Sequence, residues 1–220
     1  MPYYKVEQIE PSRAALIVVD MQNDFLSLGA PLEVEAGRAI IPEIKRTIDF
    51  CRESGIQVIY TAHVHRRDGS DLGLFKFNEP IASGKALSEG GPGATIWRDI
   101  APMADELVIK KHRFSAFYGT DLELVLRGLG VETVIICGVT TENCCHATAR
   151  DAMFRDFKVV FLSDATATFD YADVGEGALS AGQVHHSTLV ILGQSTADVM
   201  TTEEFIGIVR LRNRRASQAV

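Results

Sequence analysis

Cys144 follows a β-branched run, Thr133-Val-Ile-Ile-Cys137, then Gly138 and a polar turn, and it opens a helical stretch containing alanines. The first turn of a helix carries unpaired N–H groups and about half a positive charge, which favour a thiolate over a thiol. Cys144 is therefore a candidate nucleophile. It needs a base, because a free thiol is only a few per cent ionised near neutral pH, roughly speaking. Asp20 ends the run Ala14-Ala-Leu-Ile-Val-Val19, where desolvation should raise a carboxyl toward a useful pKa. The competing role for Asp20 is to cap the segment 21–25. Lys111 closes a third apolar run after Lys110, and strand alternation should turn those two side chains to opposite faces. A buried Lys111 near Asp20 and Cys144 would hold a thiolate and offset developing negative charge; a surface lysine would do neither. Gly138 permits a tight exit from its strand. The peptide N–H groups from Thr140 to Cys144 could then form an oxyanion hole, with Thr140, Thr141 and Cys144 as donors. Cys145 competes for the nucleophile's role. It lies about 100° further round the helix, so only one of the pair can face the strand ends, and pattern alone leaves the choice open.

The elements that must position these groups alternate. Strands are expected at 14–19, 56–60, 106–110, 131–137, 158–162 and 189–192. Helices are expected at 40–54, 120–127, 144–156 and 174–186, with a last one opening at Thr202. Such alternation implies an α/β fold: a three-layer α/β/α sandwich around a Rossmann-like parallel sheet of about six strands. Ligands of such sheets sit at the carboxyl ends of the strands. Asp20, Lys111 and Cys144 all fall at that rim. The segment 63–99 is long, irregular and rich in Gly, Pro, Asp and Ser, and is expected to form loops lining a site or an edge used in assembly.

The chain has 220 residues, 46% of them hydrophobic, and a net charge of −7. The length fits one domain, 1–220. The charge argues against nucleic-acid and anionic-membrane partners, and the basic run 210–215 reads as a solvated tail. The four cysteines, at 51, 137, 144 and 145, have no disulfide or zinc spacing. Residues 1–7 lack the apolar core of a signal peptide, so a cytoplasmic location is expected.

Three separated segments carry a family resemblance: Leu16-Ile-Val-Val-Asp20-Met-Gln-Asn-Asp-Phe25, Lys111-His-Arg-Phe-Ser-Ala-Phe-Tyr-Gly-Thr-Asp-Leu122, and Gly138-Val-Thr-Thr-Glu-Asn-Cys144 with Thr148-Ala-Arg-Asp-Ala152. In this order they resemble the isochorismatase-like cysteine hydrolases, which include nicotinamidases and N-carbamoylsarcosine, biuret and ureidoacrylate amidohydrolases. The resemblance implies an Asp20–Lys111–Cys144 triad, and so favours Cys144 over Cys145. It implies a cis peptide between Val139 and Thr140, no cofactor, and assembly as a dimer or tetramer.

Nicotinamidases of that family carry an Asp-x-His metal motif after the second strand. Here the region reads Thr61-Ala-His-Val-His65, so the aspartate is absent and no metal is expected. His63 and His65 share a face of an extended segment and, with Phe25 and Phe117, are candidates for the substrate pocket. Arg66, Arg67 and Arg113 could recognise a carboxylate. Members that cleave the vinyl ether of isochorismate lack the cysteine. Its presence implies acyl transfer from a small amide or ureide through a thioester. The alternatives are ether hydrolysis, a nicotinamidase-like reaction, or a non-catalytic binding member.

Overall fold

The computed structural model describes residues 5–218, with side chains through Arg212; residues 1–4 and the side chains of 213–215 in the basic run lie outside the described residues. Six strands form one parallel sheet: β1 (Ala14–Val19), β2 (Gln57–His63), β3 (Leu107–Lys111), β4 (Thr133–Val139), β5 (Lys158–Ala167) and β6 (Asp198–Met200), in the order β3-β2-β1-β4-β5-β6. The main helices are α1 (Ile41–Ser54), α2 (Leu122–Gly128), α3 (His146–Met153), α4 (Ala181–Ser195) and α5 (Thr202–Gln218).

The central strands are buried on both faces, so they read as unbroken apolar runs rather than alternating ones. Alternation decides which layer each residue serves. Leu16 and Val18 of β1 pack with Ile44, Ile48 and Cys51 of α1 and Phe205 and Val209 of α5. Ala15, Ile17 and Val19 pack with Leu122 and Leu126 of α2, Ala149 and Ala152 of α3, and Leu192 of α4. Helices therefore cover both faces, as the alternation required. At about 25 cal/mol per Å² of apolar surface, these two layers are the main stabilising term. α1 stops where Gly55 takes a left-handed conformation, φ 76°, the usual glycine stop.

Three assignments change. The apolar run 189–192 is not a strand. It lies inside α4, which begins at Ala181 rather than 174, after a capping box between Ser180 and Gln183. Four apolar residues cannot distinguish a strand from a helix by pattern; Leu192 is buried in the core and Leu189 packs against it, while Val190 and Ile191 are exposed. The sixth strand is the three-residue Asp198–Met200. The third lies around the nucleophile. The helix does not open at Cys144; Thr141–Cys145 forms a single π turn that runs into α3.

The segment 63–99 folds as short turns pinned to the carboxyl rim. The His65 N–H donates to Leu87 O (2.7 Å), Glu89 N–H to His65 O (2.9 Å) and Trp97 N–H to Met21 O (2.7 Å). No helix among the described residues is long and apolar enough to cross a membrane.

Candidate active site

β1, β3 and β4 end on the same rim and bring three side chains together. The Lys111 ammonium lies 2.7 Å from Asp20 Oδ2 and donates to Cys144 Sγ at 3.3 Å and to the Arg113 carbonyl at 2.9 Å. Its three N–H groups are thereby used. Lys111 and Asp20 are both 0% exposed, whereas Lys110 is exposed. The alternation expected of the two lysines is what the strand adopts.

Asp20 takes a left-handed backbone, φ 48°, a region that Asp and Asn enter more readily than other L residues. Its N–H donates to Thr61 Oγ1 (3.1 Å), and the Thr61 hydroxyl donates back to Asp20 Oδ1 (2.6 Å). One carboxylate oxygen therefore faces a hydroxyl and the other an ammonium. Thr61 stands where nicotinamidases were said to carry an aspartate, and here its hydroxyl is committed to Asp20.

The turn carrying Cys144 begins at Gly138, φ 119°, where any Cβ would run into the Val19 carbonyl of the adjacent strand. Only glycine fits so close to a neighbouring backbone. The Val139–Thr140 peptide is cis, as the resemblance implied. The Cys145 N–H then reaches back to Thr140 O (3.1 Å). The remaining first-turn amides, Thr141 and Cys144 among them, have no acceptor further back within their own helix.

Electrostatics separate the roles. Burial alone would depress Lys111, but Asp20 and Cys144 outweigh it and hold the ammonium above its usual range. Burial pushes the Cys144 thiol up. Lys111 opposes that shift, while Asp20 and its hydrogen bond to the thiol add to it. The helix-end effect alone therefore does not ionise this cysteine, and a base is needed. Cys145 is fully buried, its thiol also pushed up by burial, and it has no lysine beside it.

His63 joins the group: a ring nitrogen, an Asp20 oxygen and Cys144 Sγ all lie within 4.8 Å of one another. Its backbone is clamped by Gln22, whose Oε1 accepts from His63 N–H (2.8 Å) and whose Nε2 donates to His63 O (3.0 Å). His65 is one step removed, 3.2 Å from His63 between Nε2 atoms. Phe75 stacks edge-on against His63, with ring centroids 5.2 Å apart. Beyond it opens a cleft of about 900 Å³ lined by Phe75, Phe77, Phe114, Tyr118 and Arg113. Phe25 and Phe117 are buried in opposite layers, Phe117 against Phe157. Arg113 donates to the carbonyls of Asp71 and His112, and Arg67 to that of Glu89. By donor type a metal ion could be held by Asp20, His63 and Cys144 or by His65, Asp71 and His112. In the first group the Lys111 ammonium already supplies the positive charge.

Thr61, Gln22, Asp71 and Phe75 were not singled out for roles at the site. Their only signal in sequence was proximity to Asp20 or to the His63/His65 pair.

Residues 14–204 match the isochorismatase domain family. This chain belongs to that family. Among solved structures, the cysteine hydrolase of Pseudomonas syringae pv. phaseolicola superposes with a TM-score of 0.89 at 38% identity, over 92% of this chain and 94% of that one. A probable inactive nicotinamidase of Arabidopsis thaliana is 37% identical over 70% of this chain and 80% of its own. A ureidoacrylate amidohydrolase of Yersinia enterocolitica is 35% identical over 70% and 75%. In this isochorismatase-family hydrolase the fold is thus that of a known group.

Proposed function

We propose that this protein is a cysteine amidohydrolase that cleaves a C–N bond of a small amide or ureide through a thioester. The observation that carries the reading is the Lys111 ammonium, 2.7 Å from the Asp20 carboxylate and 3.3 Å from Cys144 Sγ, with no exposure to solvent. Ureidoacrylate amidohydrolases among its relatives act on such a bond.

Asp20 takes the proton of Cys144, and Lys111 stabilises the sulfur anion as it forms. The thiolate attacks the carbonyl carbon, and the carbonyl π electrons move to oxygen. The amides of Thr140, Thr141 and Cys144 bind that oxyanion. The C–N bond breaks as the protonated Asp20 passes its proton to the leaving nitrogen, giving ammonia or an amine and a thioester on Cys144. Asp20 then deprotonates a water, which attacks the thioester; the acid departs and Cys144 recovers its proton. Replacing the metal-motif aspartate by Thr61, whose hydroxyl serves Asp20, separates this reading from a nicotinamidase one.

A panel of small amides and ureides assayed for ammonia release tests the class, with intact-mass detection of an acyl adduct on rapid quenching. Release of ammonia with an adduct at Cys144 is the expected result. A Cys144→Ala enzyme that still turns over refutes the mechanism, and ether hydrolysis without an adduct refutes the class. The relative named as probably inactive makes the non-catalytic alternative concrete. No turnover on any amide, ureide or vinyl ether, together with an unreactive Cys144, is its signature.

A further inference from the structure

A line of polar side chains runs outward from the catalytic group, and the proposed mechanism does not use it. His63 Nε2 lies 3.2 Å from His65 Nε2. His65 Nδ1 lies 3.3 Å from Asp71 Oδ1, and Asp71 Oδ2 lies 3.1 Å from His112 Nδ1. The Arg66 N–H donates to both Asp71 oxygens, at 3.1 and 3.2 Å. Side-chain exposure grows along the line, from 3% at His65 to 10% at Asp71 and 37% at His112.

The proton positions follow from what each partner can do. A carboxylate only accepts, so His65 must carry its proton on Nδ1 to bond Asp71. A neutral His65 then has a lone pair on Nε2. His63 must supply the proton between the two Nε2 atoms, so it is protonated at Nε2 and bare at Nδ1. Burial keeps both rings neutral: it depresses His63 well below the usual range, helped by the Lys111 ammonium, and it depresses His65 against the pull of Asp71.

We propose that Asp71 is a positioning residue that fixes, through His65, the Nε2–H tautomer of His63. Nδ1 of the ring next to Asp20 and Cys144 therefore offers a lone pair and not a proton. It can accept an N–H from the carboxamide or ureido nitrogen of a bound substrate, a contact that an ester of the same acid cannot make. The hydrogen bond on one ring nitrogen of a histidine sets what the other nitrogen can do, and here that control is relayed through two rings. The consequence for turnover rests on the amidohydrolase reading; the proton positions do not.

The test is a long-range ¹H–¹⁵N spectrum of the ¹⁵N-histidine-labelled full chain near neutral pH, which reports the tautomer of each ring without turnover. Two other histidines serve as internal standards. His185 Nε2 donates to Ser163 O (3.1 Å), and His146 Nδ1 donates to Glu142 O (3.2 Å) while its Nε2 accepts from Arg150. The expected result is Nδ1–H for His65 and Nε2–H for His63, unchanged by a chelator. Asp71→Ala should convert His65 to a mixture and carry His63 with it, while the His146 and His185 signals stay in place to show that the fold is intact. Asp71→Asn keeps a carbonyl oxygen able to accept and should restore the wild-type pattern. If Asp71→Ala does not fold, His65→Phe makes the same test at His63 alone. With an amide substrate, Asp71→Ala should lower kcat/KM roughly five- to tenfold, about the worth of one net hydrogen bond, and leave the matched ester unaffected. His65 found as Nε2–H, His63 found as Nδ1–H, or an Asp71→Ala spectrum identical to wild type would each overturn the proposal. So would a chelator-sensitive His65 signal, which assigns the line to a metal instead. Loss of all amide turnover with the tautomers as stated would count against the amidohydrolase reading only.

Discussion

Replacing Asp20 by Asn removes one charge from the site with little change of shape, and asparagine tolerates the left-handed backbone of that position. Lys111 is then a cation with 0% exposure and no counter-ion. Breaking a buried ion pair from one side costs about 3–5 kcal/mol. An independent route gives a similar figure. The folded variant can avoid the charge by releasing the lysine proton, which at pH 7 costs about 1.36 × (10.4 − 7), or about 4.6 kcal/mol, and this caps the penalty. The sign with pH follows. In the wild type Asp20 and Cys144 hold Lys111 above its usual range, so its contribution is fully present below the unfolded lysine value, neutral pH included, and is lost as pH climbs from there through the raised value. Without Asp20, burial dominates and the lysine falls below its unfolded value. The unfolded chain then binds the extra proton, and the variant gains stability as pH rises. Between pH 7 and 9 the cap falls from about 4.6 to about 1.9 kcal/mol. Urea melts of Asp20→Asn against its parent, both in a Cys144→Ala background so that no thiolate replaces the carboxylate, should show a penalty shrinking by about 2–3 kcal/mol over that range. Adding Lys111→Met should remove most of the penalty at every pH. A penalty that is large and equal at pH 7 and pH 9 would refute the charge pairing.

Cys144→Ala should lose turnover by about a thousandfold or more with near-wild-type melting, whereas Cys145→Ala should keep its activity within about threefold; comparable losses in both would defeat the assignment, as ammonia-release rates would show. Because burial holds the Cys144 thiol above its ordinary value, its thiolate fraction is small at neutral pH and grows with pH. Alkylation by iodoacetamide, followed by intact mass, should speed up about tenfold per pH unit from pH 7 to 9, and a rate already flat at pH 7 contradicts that shift. Gly138→Ala places a Cβ against the Val19 carbonyl at a φ of 119°, so a loss of at least about 2 kcal/mol in a denaturant melt is expected, and a neutral effect would mean the turn relaxes freely.

Much of the fold was legible because the central strands are buried on both sides. A run such as 14–19 can only be a strand of that kind when it ends at a turn and is followed by a helical pattern. Asp20 and Lys111 were legible for the same reason, since each is a charged residue at the end of an apolar run, whereas Cys144 was legible from the polar turn and helical stretch that follow such a run. The sixth strand was not legible. Its three residues are too few to carry a period, and Asp198 within it is buried through bonds to Lys5 and the Val6 N–H, more than 190 positions away. The run 189–192 supplied a stronger but false signal, because the exposed Val190 and Ile191 of α4 join the inward Leu189 and Leu192 into one apolar run. Thr61 and Gln22 escaped notice because their roles depend on partners 41 residues distant, and Asp71 because only the folded rim sets it beside His65. The two histidines at positions 63 and 65 were visible as a pair sharing a face; what they connect to was not.

The strand order has a mechanical consequence. β1 and β4 lie side by side in the middle of the sheet, whereas β3 is its outermost strand and is hydrogen-bonded only to β2. The acid and the sulfur are thus mounted on the most protected part of the molecule, and the cation on its rim. Outer strands open at lower free energy than inner ones. A brief fraying of β3 would carry the ammonium away and leave Asp20 beside a thiol with no positive charge to stabilise the anion it forms, silencing the centre while the rest of the sheet stays whole.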